Sequence, residues 1–219
     1  MKKVIHLLIN QPLVVNQSQK ITKTDTLEIL FSTLSNIATK EKCQLIIIAP
    51  DSQQQFQAVV FKQEEASWIL EPYNQNPAIS NESIILSSLL VSEGVLVIDD
   101  RFNKQWFSSL QLIKDIKKPL IVVAKQPTNN ISAFASTLIV DQICDIEHKD
   151  VWVVLANSDI VLNTEQLLIP SYQTKTRTYT IIAPLFGLAY LSGLTRYNRV
   201  DACVFAAKLA AITYDQYFE

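Results

Sequence analysis

Short unbroken runs of branched apolar residues alternate along this chain with longer stretches whose apolar positions recur every three or four residues. The runs at 4–9, 44–49, 95–98, 120–124 and 137–140 are too short for helices and too apolar for one-faced strands. They predict strands covered on both sides, as in a parallel sheet. Residues 13–15 extend the first of them past Pro12. Segments 56–61 and 67–70 flank a Lys-Gln-Glu-Glu turn and predict a hairpin. Runs at 151–155 and 160–162, around Asn157-Ser158-Asp159, predict two more strands, and 178–182 another.

Helical periodicity fills the intervals. Leu27, Leu30, Phe31, Leu34, Ile37 and Ala38 share one face of a predicted helix over 25–40, with Asp25 as cap and Glu28 completing a capping box. Ser80 caps a helix reaching about residue 90, and Asn103 one carrying Trp106, Phe107, Leu110 and Ile113. Helices over 184–194 and 199–214 end the chain. The former is apolar nearly all round, so it belongs inside the protein. Alternating elements of this kind predict a doubly wound α/β sheet. With no repeat, linker or low-complexity tract, residues 1–219 read as one domain.

Composition narrows the chemistry. The 219 residues include three glycines, where average usage of about 7% would give roughly fifteen. Phosphate-cradling loops need glycine so that backbone N–H groups can close on an anion. Gly94, Gly187 and Gly193 have no such spacing. A net charge of −2 with scattered basic residues excludes a nucleic-acid footprint, and the cluster at 114–118 reads as a solvated helix end. No apolar run reaches the roughly 20 residues of a membrane span, and the basic, then apolar start reads as a strand rather than a signal peptide. Cys43, Cys144 and Cys203 are widely spaced, as suits buried thiols in a reducing cytoplasm. His6 and His148 have no partners at metal-ligand spacing, so no metal site is expected.

The closing stretch Phe186-Gly-Leu-Ala-Tyr-Leu-Ser-Gly-Leu, followed after a spacer by Asp201-Ala-Cys-Val-Phe-Ala-Ala-Lys-Leu-Ala-Ala, resembles the final two helices of ribokinase-like (PfkB) sugar and nucleoside kinases. Ile9-Asn10-Gln11-Pro12-Leu13-Val14-Val15 is similar to that family's first strand. The 56–70 hairpin with Asn76-Pro77-Ala78-Ile79-Ser80, and the segment 151–162, resemble its middle parts in the right order. The resemblance implies a three-layer αβα domain with a mostly parallel central sheet. Its lid would be reduced or absent, because few residues lie between Val15 and Asp25.

The departures bear on activity. The family's anion hole and base, Gly-Ala-Gly-Asp, falls on Ile181-Ile182-Ala183-Pro184, so Pro184 takes the base position. Its substrate-gripping aspartate falls on Pro12. Its paired glycines fall on Phe31-Ser32, leaving Asn36-Ile37-Ala38. Its magnesium-linked glutamate falls near Asp141 to Cys144, and its nucleotide-side glycines on Ala156 and Asp159. Phosphoryl transfer needs preorganised N–H groups, a metal and a base. The joint loss implies a degenerate member, a pseudokinase that binds a small molecule or a partner protein and needs no cofactor. The alternative is an active kinase using Mg-ATP with Asp99, Asp100 or Asp141 as relocated base.

Four residues are candidates for ligand contact. Asp99 and Asp100 end a buried strand, where α/β folds place ligands; with no second carboxylate pair to complete a metal site, the residues favour a helix-start cluster pairing with Arg101. Asn10 and Asn36 fall where the family approaches its sugar, and each also reads as a structural polar residue. Cys144 and His148 lack a third residue and an oxyanion loop. Trp68 and Phe61 on the hairpin could supply a homodimer surface, since the shortened lid cannot.

Overall fold

The structure, a computed structural model, describes residues 3–15, 19–20, 26–64, 67–74, 76, 78–98, 115, 117–125, 134–141, 151–154, 160–162, 167–169 and 177–218. Its centre is one mixed sheet of eleven strands: β1 (Lys3–Ile9), β2 (Gln19–Lys20), β3 (Cys43–Pro50), β4 (Phe56–Glu64), β5 (Ser67–Pro72), β6 (Gly94–Ile98), β7 (Leu120–Val123), β8 (Thr137–Val140), β9 (Val151–Val154), β10 (Ile160–Leu162) and β11 (Leu167–Ile169). The order is β11-β10-β9-β8-β7-β6-β1-β3-β4-β5-β2. The six strands from β9 to β3 run parallel, and antiparallel strands extend both sides.

Pleating sends alternate residues to opposite faces. Leu7, Ile9, Ile47, Leu96, Ile121, Ile139 and Trp152 face one side. That side carries α1 (Thr26–Lys40), α3 (Tyr179–Gly193) and α4 (Arg199–Phe218). Leu8, Ile46, Ile48, Val97, Val122 and Val153 face the other, against Ile84, Ile85 and Leu89 of α2 (Asn81–Leu90). Burying one such side chain contributes about 1.5–3 kcal/mol, so the paired faces supply the main stabilising term. The result is the three-layer α/β arrangement that the sequence pattern implies.

α3 is the innermost helix. Phe186, Leu188 and Ala189 are almost wholly inaccessible, as the all-round apolar pattern predicts. Gly187 lets it lie directly on the sheet: a Cβ there would stand 2.7 Å from Leu96 Cδ1 and 3.2 Å from Ile139 Cδ1.

Several expectations are corrected. Residues 13–15 form no strand. Pro12 cannot donate to a ladder, and the segment is instead held by Leu13 N–H to Pro50 O at 2.9 Å and Gln57 Nε2 to Leu13 O at 2.9 Å. Residues 179–182 are the first turn of α3 rather than a strand, and Pro184 lies inside that helix rather than opening it. The run Thr-Tyr-Thr-Ile-Ile has strand composition, but its apolar members are buried on every side of a core helix, and packing overrides propensity. Trp68 is buried and its ring lies 5.6 Å from that of Phe61, which stands 5.6 Å from Phe31. These aromatics tie the hairpin to α1, with Trp68 buried and Phe61 half-buried. The predicted cap Asp25, the helix begun by Asn103 and the 157–159 turn lie outside the described residues.

Candidate functional site

In a parallel sheet the strand carboxyl ends and the following helix N-termini converge on one edge, which is where ligands enter. Here that edge carries a cleft of about 390 Å³. β1 contributes Ile9, and the residues after it Asn10 and Gln11; β6 contributes Ile98. β7 and the residues after it contribute Val123, Ala124 and Lys125. α1 closes one side with Thr26, Leu27 and Leu30, and α3 the other with Tyr179, Thr180 and Pro184.

The α3 wall has a distinct character. Thr178 is the N-cap residue in an extended conformation and makes no side-chain cap bond. Its backbone N–H donates to Tyr214 Oη at 3.1 Å, which fixes the entry of the chain. Tyr179 Oη donates to Ile139 O at 2.9 Å and lies 3.3 Å from Ala124 O, so the ring is locked across the ends of β7 and β8. Pro184 has no N–H to return to the Thr180 carbonyl four residues earlier. That carbonyl therefore lacks its usual helical donor, whereas Ile181 N–H and Ile182 N–H both return to Thr178 O, at 3.0 and 2.9 Å. The α3 end thus brings the Thr180 hydroxyl, and a carbonyl without its helical donor, to the cleft wall.

The cleft walls are mainly apolar. Its described polar lining is neutral apart from Lys125: the amides of Asn10 and Gln11, the hydroxyls of Thr26 and Thr180, and the Tyr179 phenol. Such a cleft suits a compact ligand with an apolar body and a few neutral polar edges. Among the described residues no group of three or more His, Cys, Asp or Glu side chains could hold a metal ion.

The candidates separate in space. Asn10 lines the cleft and is half-buried. Asn36 does not line it. It is exposed on α1, six residues and about 9 Å of helix beyond Leu30. Pro184 lines the cleft, but from within α3, so the aligned stretch Ile181-Ile182-Ala183-Pro184 does not open the helix. Pro12 is exposed beside the cleft residues Asn10 and Gln11. Asp99 and Asp100 directly follow the cleft residue Ile98 but lie outside the described residues, as do Cys144 and His148. Asp141 follows β8 and is partly buried.

The residues that build the α3 wall were missed. Tyr179 and Thr180 were read as strand, and Arg177 was not singled out. Its guanidinium is buried against Asp215 of α4 and anchors the α3 entry. A buried pair thirty-eight positions apart leaves no local pattern. The signal that was available is the reach of apolar residues on both sides of Pro184.

No family model matches this sequence, and no curated protein matches it. Solved structures do match across nearly its whole length. A ribokinase from Thermotoga maritima superposes with a TM-score of 0.55 at 14% identity, covering 98% of this chain and 93% of that one. An Arabidopsis thaliana ribokinase solved with ribose and ATP gives 0.52 at 11% identity, covering 98% and 93%. A protein described as Sa239 gives 0.52 at 11%, covering 97% and 94%.

The fold is ribokinase-like.

At such identities the likeness concerns the fold. Within that ribokinase-like frame, the cleft sits at the carboxyl edge of the parallel strands, bounded by the N-terminal turns of α1 and α3.

Proposed function

We propose that this chain is a ligand-binding protein on a ribokinase-like scaffold and does not transfer phosphate. Its ligand is a compact small molecule held in the cleft between α1 and α3. The carrying observation is the α3 wall. Tyr179, Thr180 and Pro184 stand at the cleft, and the stretch aligned with an anion hole and base runs from the first turn of the helix into its interior. Isoleucine side chains cannot reproduce a glycine cradle, and proline supplies neither N–H nor base. The apolar walls, with Asn10, Gln11 and Thr26 as polar edges, support a neutral ligand.

A second reading has its own observation. Asp99 and Asp100 follow Ile98, which lines the cleft, so a carboxylate at that strand end could act as base in an ATP-dependent kinase.

Thermal-shift measurement against a panel of neutral small molecules, ribose and adenosine, each with and without Mg-ATP, tests the proposal. A ligand at 100 times its Kd adds about 2.7 kcal/mol to stability. The expected result is stabilisation by a neutral ligand without Mg-ATP, lost on Asn10→Ala, with no labelled phosphate transferred from ATP. Phosphate transfer by the unmodified protein that disappears in Asp99→Asn or Asp100→Asn would establish the second reading instead.

A further inference from the structure

Thr180 and Pro184 lie one turn apart on α3, and both line the cleft between α1 and α3. Residues at this spacing share one face of a helix, and the carbonyl of the first points along the axis toward the amide of the second. The Thr180 carbonyl is therefore on the cleft face, where Pro184 has no N–H to offer it. The proline ring also crowds that carbonyl and tilts it away from the helix axis. Thr180 is exposed, so the group can be reached.

The neighbouring groups of this wall are already engaged. Ile181 and Ile182 N–H both return to Thr178 O, at 3.0 and 2.9 Å. Thr178 N–H donates to Tyr214 Oη at 3.1 Å, and the Tyr179 phenol donates to Ile139 O at 2.9 Å. Arg177, buried against Asp215, fixes the residue before the cap. The Thr180 carbonyl is thus held in one place before any ligand arrives, which lowers the ordering cost of binding.

The rest of the lining limits what can meet it. Ile9, Leu27, Leu30, Ile98 and Val123 provide apolar wall. A polyol would press several hydroxyls against that wall without partners, at a cost for each. A hydrocarbon would cover the Thr180 carbonyl and leave it unpaired, which is also unfavourable. Lys125 and the Thr26 hydroxyl stand on the same lining as donors, so a ligand's own acceptor is met there as well.

We infer that the Thr180 carbonyl selects the ligand, and that the cleft takes a compact neutral secondary amide, a lactam or imide with an apolar body. Its N–H donates to Thr180 O, and its carbonyl faces the donors Lys125 and Thr26. Pro184 is then the residue that sets specificity, because it keeps a helical N–H away from the Thr180 carbonyl. This assignment rests on the ligand-binding reading of the cleft and names the chemical class that the cleft takes.

NMR titration of the whole chain with oxindole, N-methyloxindole and indole tests it. Oxindole carries an N–H beside a carbonyl, N-methyloxindole lacks the N–H, and indole lacks the carbonyl. Oxindole should bind about tenfold or more tightly than either, with shifts at cleft residues such as Thr180 and Lys125, since a covered acceptor left unpaired costs about that factor. Pro184→Ala returns an N–H to the helix. Slow hydrogen exchange of the new amide at position 184 should show it bonded to Thr180 O, and the preference for oxindole over N-methyloxindole should fall to about twofold or less. A purely steric effect of the methyl group would survive that substitution. Melting without ligand at or above that of the parent verifies that the variant folds, since proline disfavours a helix interior. Equal affinity of the unmodified protein for oxindole and N-methyloxindole, with shifts at the cleft, overturns the inference and leaves the ligand-binding reading intact. So does a preference that persists in Pro184→Ala with the new amide protected. No shift at the cleft at millimolar oxindole overturns it too, and the ligand-binding reading falls with it only if the wider panel of neutral molecules also fails to bind.

Discussion

Arg177 and Asp215 meet as a two-point ion pair in the interior, with Nε donating to Oδ1 at 3.0 Å and Nη2 to Oδ2 at 2.7 Å. Their side chains are 0% and 7% exposed. The pair ties the residue before the α3 N-cap to the last turns of α4. It therefore fixes the wall that carries Tyr179 and Thr180. Removing one partner leaves a buried charge uncompensated, at a cost of about 3–5 kcal/mol, whereas an apolar pair of similar volume avoids that penalty. Arg177→Met and Asp215→Leu should each destabilise by about that much in urea titrations, and the double variant by clearly less than the two effects combined. Strict additivity would show that the pair is not coupled.

His6 makes stability pH-dependent. Its ring, wholly buried in β1, lies 2.9 Å from Ser92 Oγ through Nδ1 and 3.0 Å from Ser88 Oγ through Nε2. Burial lowers its pKa from 6.5 to about 4. The unfolded chain therefore binds the proton first as pH falls. The stabilisation is fully present above about pH 6.5, is lost progressively toward pH 4, and changes no further below that. The span corresponds to about 3 kcal/mol. Denaturant midpoints measured from pH 7.5 to 4 should fall over this window, and His6→Gln should flatten that part of the profile. An unchanged slope in the variant would assign the acid sensitivity elsewhere.

Gly187 sets the separation of α3 from the sheet. A Cβ meets Leu96 and Ile139, and a larger side chain meets Ile121 as well. Overpacking of this kind costs about 1–3 kcal/mol. Gly187→Val should lower stability by about that amount despite valine's better helix propensity, and it should weaken any ligand of the α1–α3 cleft by shifting the α3 wall. Calorimetric unfolding checks the first effect. A variant as stable as the parent would mean that the helix moves outward freely.

Cys203 should be chemically silent in the folded protein. It is buried on α4, and burial pushes its thiol up, so thiolate is scarce. Cys43 is half-buried and also raised by burial, but less so. A thiol-specific reagent at pH 8 should leave Cys203 unmodified until denaturant is added, with peptide mapping to identify the labelled residue. Rapid labelling of Cys203 under native conditions would show that α4 opens locally.

Much of this architecture could be read without coordinates. Runs such as Ile46-Ile47-Ile48 and Val95-Leu96-Val97 are unbroken because both faces of a parallel strand are covered, and their spacing sets the alternation of layers. The Ser80 cap was equally local: its Oγ accepts from Ser83 N–H at 3.3 Å. The depth of α3 followed from its lack of any polar face. These features depend on a few consecutive residues, which is the range over which side-chain periodicity carries information. Tertiary structure decided the rest. It turned residues 179–182 into helix, placed Pro184 inside α3, and buried Trp68 and Phe61 against α1. It also brought Asn10 to the cleft and kept Asn36 away from it. In each case the outcome depends on partners far along the chain, Arg177 with Asp215 above all. Such pairings are selected by burial and desolvation in three dimensions, and they leave no periodic trace in the sequence.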